Sequence, residues 1–173
     1  MIQVDINTVP DFYKRYVEHV KHLDLFEALR HSSRETLSLV RSIPESKGEF
    51  RYAPGKWSIK EVLCHMLDTE RILAYRALRF ARNDSTPLEG FDENDYAPEA
   101  NANERKIEKI ADQMERLRQT THDLFEDMTP TMLQRKGLAN KVEFSVVSLA
   151  FIIPGHESHH RQVLRERYLT ALS

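Results

Sequence analysis

Apolar residues recur every three or four positions along most of this chain, a spacing that predicts amphipathic helices. Glycine and proline cluster between these periodic segments, where helices are expected to end. The predicted helices are a short one over residues 10–20 and long ones over residues 25–42, 59–82 and 103–128 and from residue 146 onward, with Asp24, Ser58 and Ser145 as N-caps. Four long helices favour an all-α, four-helix bundle with a short extra N-terminal helix, and we predict one domain over residues 1–173.

The second long helix has the clearest start signal in the chain. Ser58 and Glu61 have the spacing of a capping box, in which each side chain bonds the backbone N–H of the other residue. This pattern fixes the register of the helix. In that register, one face carries His65, Thr69 and Arg76 among apolar neighbours.

The segments between the helices are predicted to be ordered loops or extended chain. Residues 45–57 contain two glycines and a proline, which indicates a loop. Residues 83–101 form a longer loop, in which Phe91 and Tyr96 favour order, and its acidic run suits either a solvated loop or a lid. Residues 130–137 are expected to form a short turn, and residues 138–144 are expected to be extended.

Composition narrows the class of protein. The formal net charge is -2, with acids and bases mixed along the chain, which argues against a nucleic-acid-binding face or a polybasic membrane anchor. The only cysteine, Cys64, excludes an internal disulfide and a multi-cysteine zinc site, and a packing role is expected for it. No signal-peptide pattern or bilayer-length apolar run is present, so we expect a cytoplasmic protein that does not associate with membranes.

The candidate chemistry lies in the last predicted helix. His156, His159 and His160 fall within five residues, and His156 and His160 are one turn apart, so they share a face. The rest of that face is mainly apolar, which predicts that both rings point into the bundle. Pro154 is expected to bend the helix just before them. With His65 from another helix, they would supply three imidazoles for an open metal site.

The spacing of the histidines does not by itself decide between a metal site and a packed core. Eight histidines make chance pairs common, and residues 156–160 do not form a zincin motif. His159 lies about 100° around the helix from His160, so it is either a group near the substrate or a partly exposed histidine at the bundle edge. Asp68 either holds the free nitrogen of His65 or pairs with a nearby arginine on the helix surface.

Several short motifs occur together in the order and spacing of a known family. They are KWSIKEVLCH at residues 56–65, DTER at 68–71 with Arg76, GFD at 90–92 with Tyr96, GHESHH at 155–160 and RERY at 165–168. Through these motifs, nearly the whole chain resembles the DinB-like (YfiT-like) superfamily of metal-dependent enzymes. The resemblance implies an often dimeric four-helix bundle whose divalent metal is held by His65, His156 and His160.

The resemblance favours a metal-dependent enzyme that acts on a small molecule. Neutral imidazoles suit late first-row metals, so Zn or Ni is the preferred cofactor, followed by Mn, Fe or Co. The ion would activate a water or a low-molecular-weight thiol, as in a hydrolase or an S-transferase. The superfamily spans several activities, so it names no substrate. The alternatives are a non-catalytic metal-binding or stress-related dimeric bundle and a metal-free interaction bundle, and we expect a homodimer.

Overall fold

Helices dominate the computed structural model, which describes residues 1–172. The α-helices and strands, in chain order, are α1 (Asp11–Val17), α2 (Leu25–Ser42), α3 (Ile59–Ala81), α4 (Glu93–Glu99), α5 (Ile107–Glu126), α6 (Pro130–Leu133), β1 (Lys136–Ala139), β2 (Val142–Ser145) and α7 (Val146–Val163). A π-helical turn, Leu164–Leu169, continues from α7, and short 3-10 turns lie at Ile6–Thr8, Glu45–Lys47 and Thr170–Leu172.

The four long helices α2, α3, α5 and α7 form the bundle. Helix α2 packs against α5 and α7, and α3 packs against the same two helices, so α2 and α3 lie diagonally across the bundle. The short helix α1 lies against α7. The predicted all-α class, with four long helices and an extra N-terminal helix, is therefore confirmed. No helix within residues 1–172 is long and apolar enough to cross a membrane.

The three predicted N-caps are confirmed. Ser58 Oγ accepts from the Glu61 backbone N–H at 3.1 Å, and Glu61 Oε2 accepts from the Ser58 N–H at 2.7 Å, which completes the capping box. Asp24 and Ser145 accept backbone N–H groups in the first turns of α2 and α7. Because caps are local hydrogen bonds, their sequence pattern is enough to place helix starts.

Helix α5 begins at Ile107, so the predicted start at Asn103 was wrong. The Asn103 side chain accepts from Ser58 Oγ at 2.7 Å, and its carbonyl accepts from Lys60 Nζ at 3.2 Å. The Ile107 N–H donates to Glu45 Oε2 at 2.9 Å, in place of a local cap. Partners distant in sequence hold these residues outside the helix.

The loop predicted over residues 83–101 contains a helix, α4, which packs against α3. Asp92 caps it by accepting the Asn94 N–H at 2.8 Å. Earlier in the same loop, the Leu88 N–H donates to the Leu138 carbonyl at 2.9 Å, which ties the loop to β1. A helix of seven residues has a weak periodic signal, and packing stabilises it more than its own propensity does.

The extended segment predicted over residues 138–144 is a hairpin made by β1 and β2. Asn140 and Lys141 form its two-residue turn with φ values of 49° and 62°, as a type I′ turn requires. Gly137 lets the hairpin lie on the bundle, because a Cβ there would overlap the Phe80 ring. The hairpin therefore reaches α3 near the C-terminus of that helix.

Helix α7 continues through Pro154 to Val163, and the bend expected at that proline stays a prediction. Gly155 has a clear role, because a Cβ at this position would overlap the backbone carbonyl of Tyr16. The glycine allows α1 to approach α7 closely. Tyr16 therefore lies beside His156, with ring centroids 5.2 Å apart.

Candidate metal centre

Three histidines converge where α3 and α7 face each other. His156 Nε2 lies 3.1 Å from His65 Nε2 and 3.0 Å from His160 Nε2. His65 comes from the capped helix α3, whereas His156 and His160 are one turn apart on α7. The structure thus brings together all three residues that the sequence singled out.

The donor geometry fits a shared cation better than hydrogen bonds between the rings. A neutral imidazole nitrogen carries either one proton or one lone pair, so His156 Nε2 has only one site for its two contacts. Three lone pairs converging on one ion satisfy all three rings, and tetrahedral Zn–N bonds place nitrogens about 3.3 Å apart. The Nε2 distances of 3.0 and 3.1 Å are close to that value.

The three rings are held neutral, as metal binding requires. Burial lowers the pKa of His65 below its ordinary value. Burial, followed by the charges that neighbouring imidazoles would carry, lowers the pKa of His156 and His160 well below 6.5. Near neutral pH the Nε2 lone pairs are therefore available as donors. His160 Nδ1 is buried and has no hydrogen-bond partner among the described residues.

A cavity of about 510 Å³ opens directly over these histidines. Its remaining walls consist of Phe12, Tyr13, Arg15, Tyr16, Trp57, Thr69, Leu73, Arg76, Phe91, Glu93, Asn140, Val142 and His159. Trp57 packs on His65 with ring centroids 5.0 Å apart, and Tyr16 packs on His156. The three donors thus face a pocket large enough for a small molecule, as an open metal site requires.

The sequence model of the DinB superfamily matches residues 28–164. The chain belongs to the DinB superfamily. Among solved structures it is similar to YfiT from Bacillus subtilis, described as a probable metal-dependent hydrolase with an unusual four-helix bundle topology. The two share 13% sequence identity and a TM-score of 0.75, over 94% of this chain and 89% of YfiT. At this identity the likeness establishes the shared fold. A comparison with curated proteins finds no match.

The sequence did not reveal which residues outside the four-helix bundle line the cavity. Tyr16 and Arg15 enter from α1, Glu93 from α4 and Val142 from the hairpin. The close approach of α1 depends on Gly155, which the sequence shows, but the residue it touches lies far away in the chain. No local pattern identifies that contact.

Three other candidates have roles outside the trio. His159 lies apart from the converging nitrogens; its half-buried ring lines the cavity, and burial lowers its pKa. Asp68 pairs with Arg71 at 3.1 Å, which is the surface ion pair considered from the sequence. Cys64 is buried in the apolar core, and burial raises the pKa of its thiol, as expected for a packing residue.

A buried ionic cluster lies in the bundle core beside the histidines. The sequence did not predict its extent. Arg118 on α5 binds Glu157 of α7 at 2.9 Å and both carboxylate oxygens of Glu70 on α3, at 2.8 and 2.9 Å. Arg118 also donates to the Leu29 carbonyl on α2 at 2.8 Å. Burial raises the pKa of Glu157, and the nearby guanidinium partly offsets that effect. Glu157 is therefore committed to the core, although it adjoins His156 in the sequence.

One further group of possible ligands, His122, Asp123 and Glu126, lies on α5 beside the groove between α5 and α2. Both carboxylates are exposed, and the His122 ring packs on Phe26 with centroids 4.8 Å apart. Exposed acidic groups of this kind are common without an ion, and this group does not face the cavity above the histidines. It provides a natural control for experiments on the trio.

Proposed function

We propose that this DinB-superfamily protein is a metal-dependent enzyme, of the hydrolase type, that acts on a small molecule. In this proposal His65, His156 and His160 hold a divalent ion, with Zn or Ni preferred and Mn, Fe or Co also suited to the donors. The observation that carries the proposal is the convergence of three Nε2 atoms at the floor of a cavity of about 510 Å³. The description of YfiT as a probable metal-dependent hydrolase supports the same reaction class.

The protein groups in the cavity have separable tasks. A divalent ion held by three neutral imidazoles lowers the pKa of a bound water or thiol towards neutrality. The aromatic side chains of Tyr16, Trp57 and Phe91 form walls that exclude bulk water and orient an apolar substrate. His159 lines the same cavity without being needed as a ligand. Because burial lowers the pKa of His159, its ring is neutral near pH 7 and can accept a proton.

The metal proposal is tested by elemental analysis of protein purified without a histidine tag. We expect about one divalent ion per chain in the wild type and almost none in His65→Ala, because two imidazoles alone bind weakly. His122→Ala is the matched control: it removes an imidazole of α5 that lies away from the trio, and this variant should keep the ion. Equal metal content in the wild type and His65→Ala would contradict the proposed site.

The reaction class requires a second assay on the metal-loaded protein. A panel of chromogenic esters and amides tests hydrolysis, and small thiols with a chromogenic electrophile test S-transfer. We expect hydrolysis that disappears in His65→Ala. Turnover that requires an added thiol would change the proposed reaction class from hydrolase to S-transferase. Full metal loading without turnover in either screen would favour the non-catalytic metal-binding bundle.

A further inference from the structure

Arg76 is a buried cation without an anionic partner in the wall of the cavity. Only 4% of its surface is exposed. Among residues 1–172, its one hydrogen bond runs from Nη2 to the Glu89 backbone carbonyl at 3.0 Å. Within the described part of the chain, its electrostatic neighbour is the phenol of Tyr13, and no carboxylate is paired with it. Burying a charged group without a counter-charge is costly, so this arrangement calls for an explanation.

Two other arginines, one buried and one half-buried, show how this fold satisfies such groups. Arg118 is paired with two carboxylates. Arg161, which is half-buried, donates to the Ser32 carbonyl and to Thr36 Oγ1, both at 3.1 Å. A guanidinium has five N–H donors, and Arg76 has a protein acceptor for only one of its nitrogens. The remaining donor capacity of Arg76 lies beside the cavity.

Thr69 is a second unsatisfied group on the same wall. Its side chain is buried, and its Oγ1 has no hydrogen-bond partner among residues 1–172. His65, Thr69 and Arg76 share one face of α3, because they are four and then seven residues apart. The rise from His65 to Arg76 is about 16 Å, and long helical side chains lean back towards the N-terminus. The unsatisfied donors of Thr69 and Arg76 therefore lie along the cavity wall at increasing distance from the histidines.

The other walls of the cavity define the rest of the ligand. The cavity has Arg15 and Arg76 against a single carboxylate, Glu93, which leaves one positive charge in excess. The Arg76 guanidinium lies 6.0 Å from the Phe91 ring centroid, and the Arg15 guanidinium lies 4.0 Å from the Phe12 centroid. An extended molecule with an apolar body and one negative charge matches these walls.

We infer that Arg76 binds a carboxylate of the substrate, so that the enzyme acts on small carboxylic acids whose reactive bond lies at the three histidines. The part concerning the reactive bond rests on the proposed function, whereas the carboxylate site stands without it. Arginine binds carboxylates through paired N–H donors, and Thr69 offers a neutral donor nearer the histidines. A phosphate carries about two negative charges at neutral pH and would leave one of them unmatched by the single buried cation.

The test compares matched probes on metal-free and metal-loaded protein. The probes are 3-phenylpropanoate, its neutral amide, and 2-phenylethylphosphonate, with binding followed by calorimetry or NMR. We expect the wild type to bind the carboxylate about tenfold more tightly than the amide, with or without metal, because a charge-assisted bond is made. Arg76→Gln should remove this preference. Arg71→Gln, the same change at an exposed and ion-paired position of α3, should keep it.

Several results would overturn the inference. Equal binding of carboxylate and amide by the metal-free wild type does so whatever the variants show. A preference that appears only with metal and survives Arg76→Gln places the carboxylate on the ion instead. Tighter, Arg76-dependent binding of the phosphonate reassigns the site to phosphate-like groups.

Two further measurements keep the inference independent of folding and of the metal. Circular dichroism checks the fold of each variant, and Arg76→Lys keeps the charge but loses the paired donors. We expect this variant to prefer the carboxylate with several-fold weaker binding, and an unchanged affinity would contradict paired recognition. A wild type that binds no metal but prefers the carboxylate would support the inference while removing the proposed function.

Discussion

His156 has the most constrained side chain of the site. Its Nε2 faces both other histidine nitrogens, at 3.1 and 3.0 Å, and its ring packs against Tyr16. These contacts fix the ring from three sides. At the residue scale, the site is therefore organised around one buried imidazole whose partners come from α3, α7 and α1.

Adjacent histidines on α7 are predicted to differ sharply in their importance for metal. His160→Ala should remove most bound metal because its Nε2 belongs to the converging trio, whereas His159→Ala should keep it. Elemental analysis of the two variants checks this, with circular dichroism to show that both remain helical. Stoichiometric loss of metal in His159→Ala would mean that His159, and not His160, is the ligand.

Local information could predict the helical face on which each of the three histidines lies, whereas their grouping around one metal was implied by the family resemblance. The capping box of Ser58 and Glu61 fixes the register of α3, and the spacing of four residues places His156 and His160 on one face. The partners of Arg118 and the approach of Tyr16 could not be predicted, because these contacts join residues far apart in the chain. Periodicity places a side chain on a face but does not choose what it meets.

At the scale of elements, the π-helical turn Leu164–Leu169 supports the cavity wall. It places Tyr168 so that its hydroxyl donates to the Trp57 carbonyl at 2.8 Å. Trp57 in turn packs on His65. The end of the last helix thus fixes the loop that precedes α3, and with it one side of the metal centre.

This contact predicts a stability change at alkaline pH. Burial raises the pKa of Tyr168 from 10.0 to about 12, so between these values the unfolded chain loses the phenolic proton while the folded chain keeps it. The contribution of Tyr168 to the free energy of unfolding should therefore be fully present below pH 10 and should be lost as the pH rises towards 12. Urea titrations should show a smaller decline in Tyr168→Phe, and parallel profiles for the two proteins would refute the assignment.

The close contact between α1 and α7 predicts that one added methyl group at Gly155 lowers the stability of the protein. Gly155→Ala places a Cβ against the Tyr16 carbonyl, which is backbone and cannot rotate away, so we expect a loss of about 1–3 kcal/mol of stability. Thermal or urea unfolding measures the loss. Gly48→Ala is the control, since the atoms nearest to its Cβ would be those of the Lys60 side chain, which can rotate away, and not backbone. Equal effects of the two substitutions would show that the helix contact is not tight.

The starts of the elements were predicted well for the long helices that carry their own N-caps. The starts of α2, α3 and α7 follow from their own N-caps. The start of α5 depends on Glu45, and α4 depends on packing against α3. The dependence of α5 on Glu45 leaves no signal in the neighbouring residues, whereas α4 has a local N-cap, Asp92, that was not recognised as a helix start.

At the scale of the whole molecule, Arg118 joins all four bundle helices. It lies on α5, pairs with Glu70 on α3 and Glu157 on α7, and bonds the Leu29 carbonyl on α2. Few other side chains could hold a bundle in one arrangement so directly. The resemblance and the periodicity predicted a bundle, but this link between its helices required the structure.

Removing the Arg118 guanidinium should destabilise the whole bundle. Arg118→Met leaves two buried carboxylates without their counter-charge, so we expect a loss of about 3–5 kcal/mol. Urea unfolding followed by circular dichroism measures it. Arg116→Met, the same change at an exposed position of α5, should cost far less. A small effect at Arg118 would mean that the two carboxylates take up protons at little cost.

Under the proposed function, the distribution of the three histidines along the chain also limits when metal can be loaded during synthesis. His65 and His156 are 91 residues apart. At a synthesis rate of about 5–20 residues per second, roughly 5–20 seconds separate their emergence. During that interval the nascent chain holds only one of the three imidazoles of the candidate site, and one imidazole alone binds an ion weakly. Under the proposed function, the choice of metal therefore falls to the finished bundle and not to whichever ion first meets the nascent chain.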